Sequence, residues 1–542
     1  MKSPCTKTFL AFLVFLPFLC LSCKEEMPSI SHIDPRIGRI GDILNIYGKN
    51  FGPERNESYI TIAGAPPTSS AYVSWKDDQI TVKIPEFADA GLVYVYRGTN
   101  KSNPALFSNK ASMPEQVRGA ETGSGPRIAS VTPEAGAIGS LVTIMGSNFG
   151  SSRENAGVWF SWDAESSAPA ETKTPDAVEV PDSDFGYELW SEREIRVRIP
   201  DGAISGNIEI RTPRGNSRPV FFEITGKPGV KIFKDKRSYT LSFSVDIRAD
   251  IAGMPNALYL WLPKPIFSSS QKNVRLLSRN IEPFVENYRG TSLYQLLDLQ
   301  AGSGQQITLS YVAEVFAVET SVKQQSIKQE PGSPIQSVYT LPTPILPADN
   351  PKIAAQAAAI IGRERNPYNK AKLIYDWILK QVKIENSPKS GEALEALDEL
   401  QADSYQAAML FCSLARAAGV PALPISGVLV NRARRTVKHY WAEFWIDSFG
   451  WIPLDPALGA GAAPQDFNLR DDHSEYYFGN MDNQRVAFSQ GQNFLSQMDP
   501  RGRVASRPRE YALQSLWEEA TGGLESYSSL WSDVTITGMY VQ

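Results

Sequence analysis

His439 and Asp455 are the residues of this chain best placed to do chemistry together. His439, one of three histidines, opens "HYWAEFWID", and Asp455 lies near the end of "GWIPLDP". Both stretches alternate with the period of two expected of strands, so His439, Trp441, Glu443 and Trp445 share a face. A hairpin turning near Ser448 to Gly450 sets 439 and 455 close to opposite each other across the ladder. A carboxylate there can accept the imidazole N–H, fix the tautomer and stabilise the imidazolium. The basic run "NRARRTVK" enters the histidine strand directly. It either steers an acidic polymer to the cleft or is a solvated loop.

A general base needs a nucleophile. The stretch "LQADSYQAAMLFCSLARAAGVPALPISG" predicts a helix that starts near Ser404, lacks internal Pro or Gly, and is closed by Gly419 and Pro421. Ser404 stands at its first turn. Ser and Asp are both favoured N-cap types, so Asp403 competes for that role. Ser404 is therefore a nucleophile, a cap, or the trace of a lost site. Cys412 cannot take its place: it lies about 12 Å further up the helix and is turned away by about 80°. It reads as a small buried hydrophobe.

These residues need a scaffold. Upstream, "NPYNKAKLIYDWILKQVKI" carries Ala371, Ile374, Tyr375 and Ile378 on one helical face, with Asn366 and Pro367 as N-cap and N1. Residues 229–345 begin with β patterns such as "YTLSFSVDIRA" and "QQITLSYVAEVFAVET", which predict a β-sandwich. The tail 491–542, with Trp517 and Trp531, reads as helices packed on the core.

Before that lies an internal repeat. "PSISHIDPRIGRIGDILNIYGKNFG" matches "GPRIASVTPEAGAIGSLVTIMGSNFG", and "WKDDQITVKIP" matches "WSEREIRVRIP". Short alternating strands punctuated by Gly and Pro predict one sandwich per repeat. Trp75 and Trp190 recur at one framework position and read as core residues. An insertion in the second copy, "APAETKTPDAVEVPDSD", is expected to be a solvated loop. Residues 108–125 form a polar linker.

At 542 residues, with 21% charged and 42% hydrophobic residues, the chain is globular and multidomain. A net charge of −5, with no segment basic enough for a nucleic-acid footprint, argues against a nucleic-acid partner. No cluster resembles a metal site, and no cofactor is expected. Lys2 and Lys7 precede the apolar run "FLAFLVFLPFLCLS", too short to span a bilayer comfortably.

Three resemblances follow. The N-terminus, ending in "CLSC", resembles a bacterial lipoprotein signal over residues 1–22. That implies lipidation of Cys23 and a membrane anchor on the exported chain, and leaves Cys412 as the mature protein's thiol. The repeats at 23–107 and 126–225 resemble IPT/TIG domains, immunoglobulin-like modules that serve as spacers or binding modules. Residues 350–490 resemble the transglutaminase-like domain of the papain-like cysteine-protease superfamily, on "YNKAKLIYDWI", "AAMLFCSLARAAGVPALPISG", "HYWAEFWIDSFGWIPLDPA" and "YYFGNMDNQRVAFSQG".

The last resemblance implies a Cys–His–Asp triad whose histidine falls on His439, whose aspartate falls on Asp455 and whose cysteine falls on Ser404. The implied fold class is three all-β sandwiches followed by an α+β core. The implied protein is a membrane-anchored pseudoenzyme of the cell envelope that binds a peptide, protein or cell-wall polymer. Two alternatives stay open: an active Ser404-dependent peptidase, amidase or acyltransferase, and a surface adhesin acting through the IPT/TIG domains.

Overall fold

The computed structural model describes residues 27–541, apart from 63–65, 86–87, 89–90, 110–124, 154–155, 165–175, 182–184, 328–332 and 388. The expected signal segment 1–22, Cys23 and most of the linker 108–125 lie outside the described residues. Strands predominate over helices, as the alternating patterns dictate. The chain divides into two compact units, one ending at Phe107 and one starting at Ser108.

The first unit is a two-sheet sandwich holding the first repeat. Its sheets close over Leu44, Ile46, Phe51, Ile60, Ile80, Val82, Val93 and Phe107. The second repeat has the same plan, with the strand Arg127–Thr132 against Leu141–Ser147 where Ser29–Asp34 pairs with Ile43–Lys49. Trp75 and Trp190 each sit half-buried beside a tyrosine, Tyr72 and Tyr187, with ring centroids 5.9 Å apart. The insertion differs from expectation. Asp176–Glu179 is a strand paired with Gly157–Trp162, because the "AVEV" alternation within the acidic stretch buries Val178 and Val180.

Next comes a sheet built on one very long strand, β1 (Gly229–Pro263), paired antiparallel with β2 (Gly304–Val322). The predicted strand "YTLSFSVDIRA" and the apolar stretch "ALYLWLP" that follows it thus belong to one strand, whose pairing is irregular between Ala249 and Asn256. Leu241, Phe243, Val245, Leu258, Leu260 and Leu309 form its core.

The helical layer follows. α1 (Pro367–Gln381) is capped by Asn366, which accepts from Tyr368 and Asn369 N–H, with Pro367 at N1. α2 (Ser404–Ala417) is buried almost all round, consistent with its alanine- and leucine-rich sequence. The core sheet has the order β5-β4-β3-β6, with β3 (Ala422–Val430), β4 (Thr436–Ile446), β5 (Gly450–Leu454) and β6 (Arg485–Gln490). Tyr440, Ala442 and Phe444 of β4 face α1 and α2, while Trp441 and Trp445 lie on the opposite face, where Trp445 meets the second repeat.

The tail is not helical. β7 (Glu518–Trp531) and β8 (Thr535–Val541) both pair with β1 and complete its sheet. Trp517 is buried inside that sheet's core rather than on the helices. The Glu-Glu-Ala start of β7 has modest helical preference, and pairing with a long open strand edge overrides it.

Candidate functional site

The site sits at the end of the β4–β5 hairpin. Register runs from Ile446–Gly450 to Ala442–Leu454, so Asp455 falls beside Trp441 rather than His439. Asp455 and His439 nevertheless share a face, two residues apart along the strand. His439 reaches diagonally, and its Nε2 lies 2.8 Å from Asp455 Oδ2. An ionised carboxylate only accepts hydrogen bonds, so Nε2 carries the hydrogen. The ring is 2% exposed and Asp455 is fully buried. His439 also packs nearly parallel to Trp441, with centroids 6.4 Å apart.

A buried carboxylate needs partners, and Asp455 has three. Besides His439 it accepts from Leu458 N–H at 3.0 Å through Oδ1, as N-cap of the short turn Pro456–Gly459, and from Arg485 Nη1 at 3.0 Å through Oδ2. Burial pushes the Asp455 carboxyl up. The His439 ring, the Arg485 guanidinium and the Leu458 N–H outweigh it and hold the group below its ordinary value.

Arg485 extends the network. Its Nη2 donates to Asp482 Oδ2 at 2.8 Å, and Asp482 also accepts from the Tyr477 hydroxyl at 2.8 Å and from Gln484 N–H at 2.7 Å. Burial opposes the Arg485 charge, but the two aspartates hold its pKa above the ordinary arginine value. Arg485, Asp482 and Tyr477 were not singled out from the sequence. The available signal was Arg485 itself, a charge on the inward face of "RVAFSQ", three residues after an aspartate.

Ser404 is the first residue of α2, and Asp403, not Ser404, is its N-cap. Asp403 Oδ1 accepts from Gln406 N–H at 2.9 Å, and the Gln406 side chain returns the bond to Asp403 N–H. The other Asp403 oxygen accepts from Lys389 N–H at 2.8 Å and from Arg509 Nη1 at 2.6 Å. The half-buried Ser404 hydroxyl is therefore free of capping duty. The first turn of α2 rests on β4 through the edge contact of Tyr405 and Tyr440, centroids 5.0 Å apart. The structure brings His439 and Asp455 together; no hydrogen bond links Ser404 to either. Cys412 is fully buried in the helical core, and burial pushes its thiol up to about 12. Of the basic run, Arg432, Arg434 and Arg435 are exposed.

Comparison with known proteins places these features in families. Residues 354–456 match the transglutaminase-like superfamily, and 28–109 and 126–224 match the IPT/TIG domain. An uncharacterized Haemophilus influenzae protein is 28% identical over 166 residues, 25% of this chain and 45% of that relative. The chain thus spans less than half the length of that relative. A candidate cysteine protease from Cytophaga hutchinsonii is 17% identical over 58% of this chain and 92% of its own, with a TM-score of 0.35. The periplasmic domain of TgpA from Pseudomonas aeruginosa is 14% identical over 40% of this chain and 87% of its own, with a TM-score of 0.24. Among the described residues no helix is long and apolar enough to cross a membrane.

Proposed function

We propose that this chain, in which a transglutaminase-like domain follows two IPT/TIG domains, is an exported, membrane-anchored protein. Its site binds a peptide or cell-envelope polymer and is catalytically impaired. The observation that carries the reading is the buried His439–Asp455 pair, built and charge-compensated as a base and its orienter, beside a helix that begins with an alcohol. In the family the thiol falls on Ser404.

A thiol has an ordinary pKa near 8.5, and a helix N-terminus with a neighbouring imidazolium lowers it by several units. An alcohol is far too weak an acid to form that ion pair. A serine must lose its proton during attack, and its shorter C–O bond sets the oxygen back. A misplacement of about 1 Å costs roughly 10²-fold. The N-cap adds to this. The Asp403 carboxylate precedes the nucleophile position, where a like charge opposes both a thiolate and an oxyanion; Arg509 offsets it in part.

One observation favours the second reading, an active serine amidase or acyltransferase: the Ser404 hydroxyl is not occupied as a cap. Peptide amides with amine donors separate the two. The impaired reading expects no turnover by the wild type or by Ser404→Ala, and turnover only in Ser404→Cys. Turnover by the wild type that disappears in Ser404→Ala would establish the serine enzyme instead. The anchor is tested separately, by palmitate labelling that Cys23→Ala abolishes.

A further inference from the structure

The hairpin that carries His439 on β4 and leads directly from β5 into Asp455 is held at its tip by the second repeat. Ile138 forms a β-bridge with Ser448 in the turn. A Cβ on Gly139 would lie 2.9 Å from Trp445 Cζ2, so the backbone of the repeat touches that ring directly. Asp201 of the repeat is ion-paired with Lys231 of β1, both nearly buried, and Lys231 Nζ donates to the Trp451 carbonyl of β5 at 2.7 Å. Asp201 also accepts from Ser269 Oγ at 2.7 Å. It packs so closely on Gly450 that a Cβ there would overlap its carboxylate, and Gly450 has φ of +99°. Trp441, Trp445 and Trp451 share one hydrophobic cluster with Val142, Ile144 and Phe160 of the repeat.

We infer that the second repeat is a positioning element for the His439–Asp455 pair: by fixing the hairpin tip it sets the relation of the two strands on which the imidazole–carboxylate bond depends. Ile138, Gly139 and Asp201 act through the hairpin, not on any reacting group. The inference rests on the geometry of the pair and holds whether or not Ser404 reacts.

The repeat supplies its own control. Gly139 and Gly41 occupy equivalent places with φ of +84° and +87°, so alanine is equally strained at both. Only at Gly139 does the added methyl meet a neighbour; at Gly41 nothing lies within 4 Å.

In the full chain labelled with 15N-histidine, the exchange rate of the His439 Nε2 hydrogen reports the bond to Asp455. Gly139→Ala is expected to speed that exchange about tenfold or more by local opening, with backbone amides of the β1–β2 ladder around Leu241 and Phe243, followed by hydrogen-exchange mass spectrometry, unchanged and Gly41→Ala indistinguishable from wild type. The inference is overturned if exchange in Gly139→Ala equals the wild type, or if it rises only in step with the β1–β2 ladder amides, which would mark a purely global loss of stability. Should Gly139→Ala not fold, Ile138→Ala against Ile40→Ala makes the same comparison.

Discussion

The two repeats share a fold, a framework tryptophan and even the dipeptide Ile-Gly at the same turn, yet they are used differently. In the first, Ile40 is 46% exposed and Gly41 faces open space. In the second, Ile138 is 4% exposed and Gly139 lies against Trp445. The first repeat is a compact unit with its own core. The second shares its core with the transglutaminase-like sheet and with the base of the β1 sheet. An immunoglobulin-like module can thus be a separate body in one copy and part of a site's foundation in the next, without any change of fold.

The contrast makes unequal predictions for the two units, read by calorimetry on the whole chain. The largest effect is expected at Lys231. Lys231→Met leaves Asp201 buried without its charge partner and should cost the second unit about 3–5 kcal/mol, with the first unit's transition unmoved. Ile138→Ala should cost the second unit about 2–4 kcal/mol through the cavity it opens. The matching Ile40→Ala should stay within about 0.5 kcal/mol; equal losses at the two positions would erase the distinction.

Acid should also act on the second unit through Asp455. Its pKa is depressed on folding, so between the folded and ordinary values the unfolded chain binds more protons. The stability it supplies is complete above its ordinary pKa of 3.8 and is lost as the pH falls below it. Asp455→Asn should flatten that part of the acid unfolding curve. A modest loss is expected of Lys101→Ala in the first repeat, where Lys101 Nζ lies 3.5 Å from the Tyr94 ring centroid. It should cost that unit about 0.5–1 kcal/mol and leave the second untouched.

Much of the fold was legible in the sequence. The repeat, the change from alternating to helical periodicity and the hairpin all follow from local patterns. The His439–Asp455 pair was legible because His439 lies on one strand and Asp455 directly follows the next, the two strands being joined by a tight turn. Its register was not: pairing sets Asp455 beside Trp441, and only a diagonal reach completes the bond. Arg485 was missed because its role depends on a strand, β6, that arrives beside β3 from further along the chain.

The docking of the second repeat was unreadable for a plainer reason. Ile40-Gly41 and Ile138-Gly139 are the same residues, and only the partner surface decides which pair is covered. The tail was misread as helical because β7 gains its conformation from pairing with β1, far away in sequence. At α2 the sequence left Asp403 and Ser404 level as caps; the geometry gives the cap to Asp403 through its reciprocal bond with Gln406.

The central claim is that the position held by Ser404 belongs to one site with His439 and Asp455. The most direct measurement is the rate of iodoacetamide alkylation of Ser404→Cys at pH 7, with and without His439→Ala. In residues 24–542 the other thiol is Cys412, which is buried and, with its pKa pushed up to about 12, gives little background. A site intact but for its sulfur predicts alkylation faster than that of an ordinary thiol, slowed about tenfold or more when His439 is removed. Equal rates with and without His439 would contradict it.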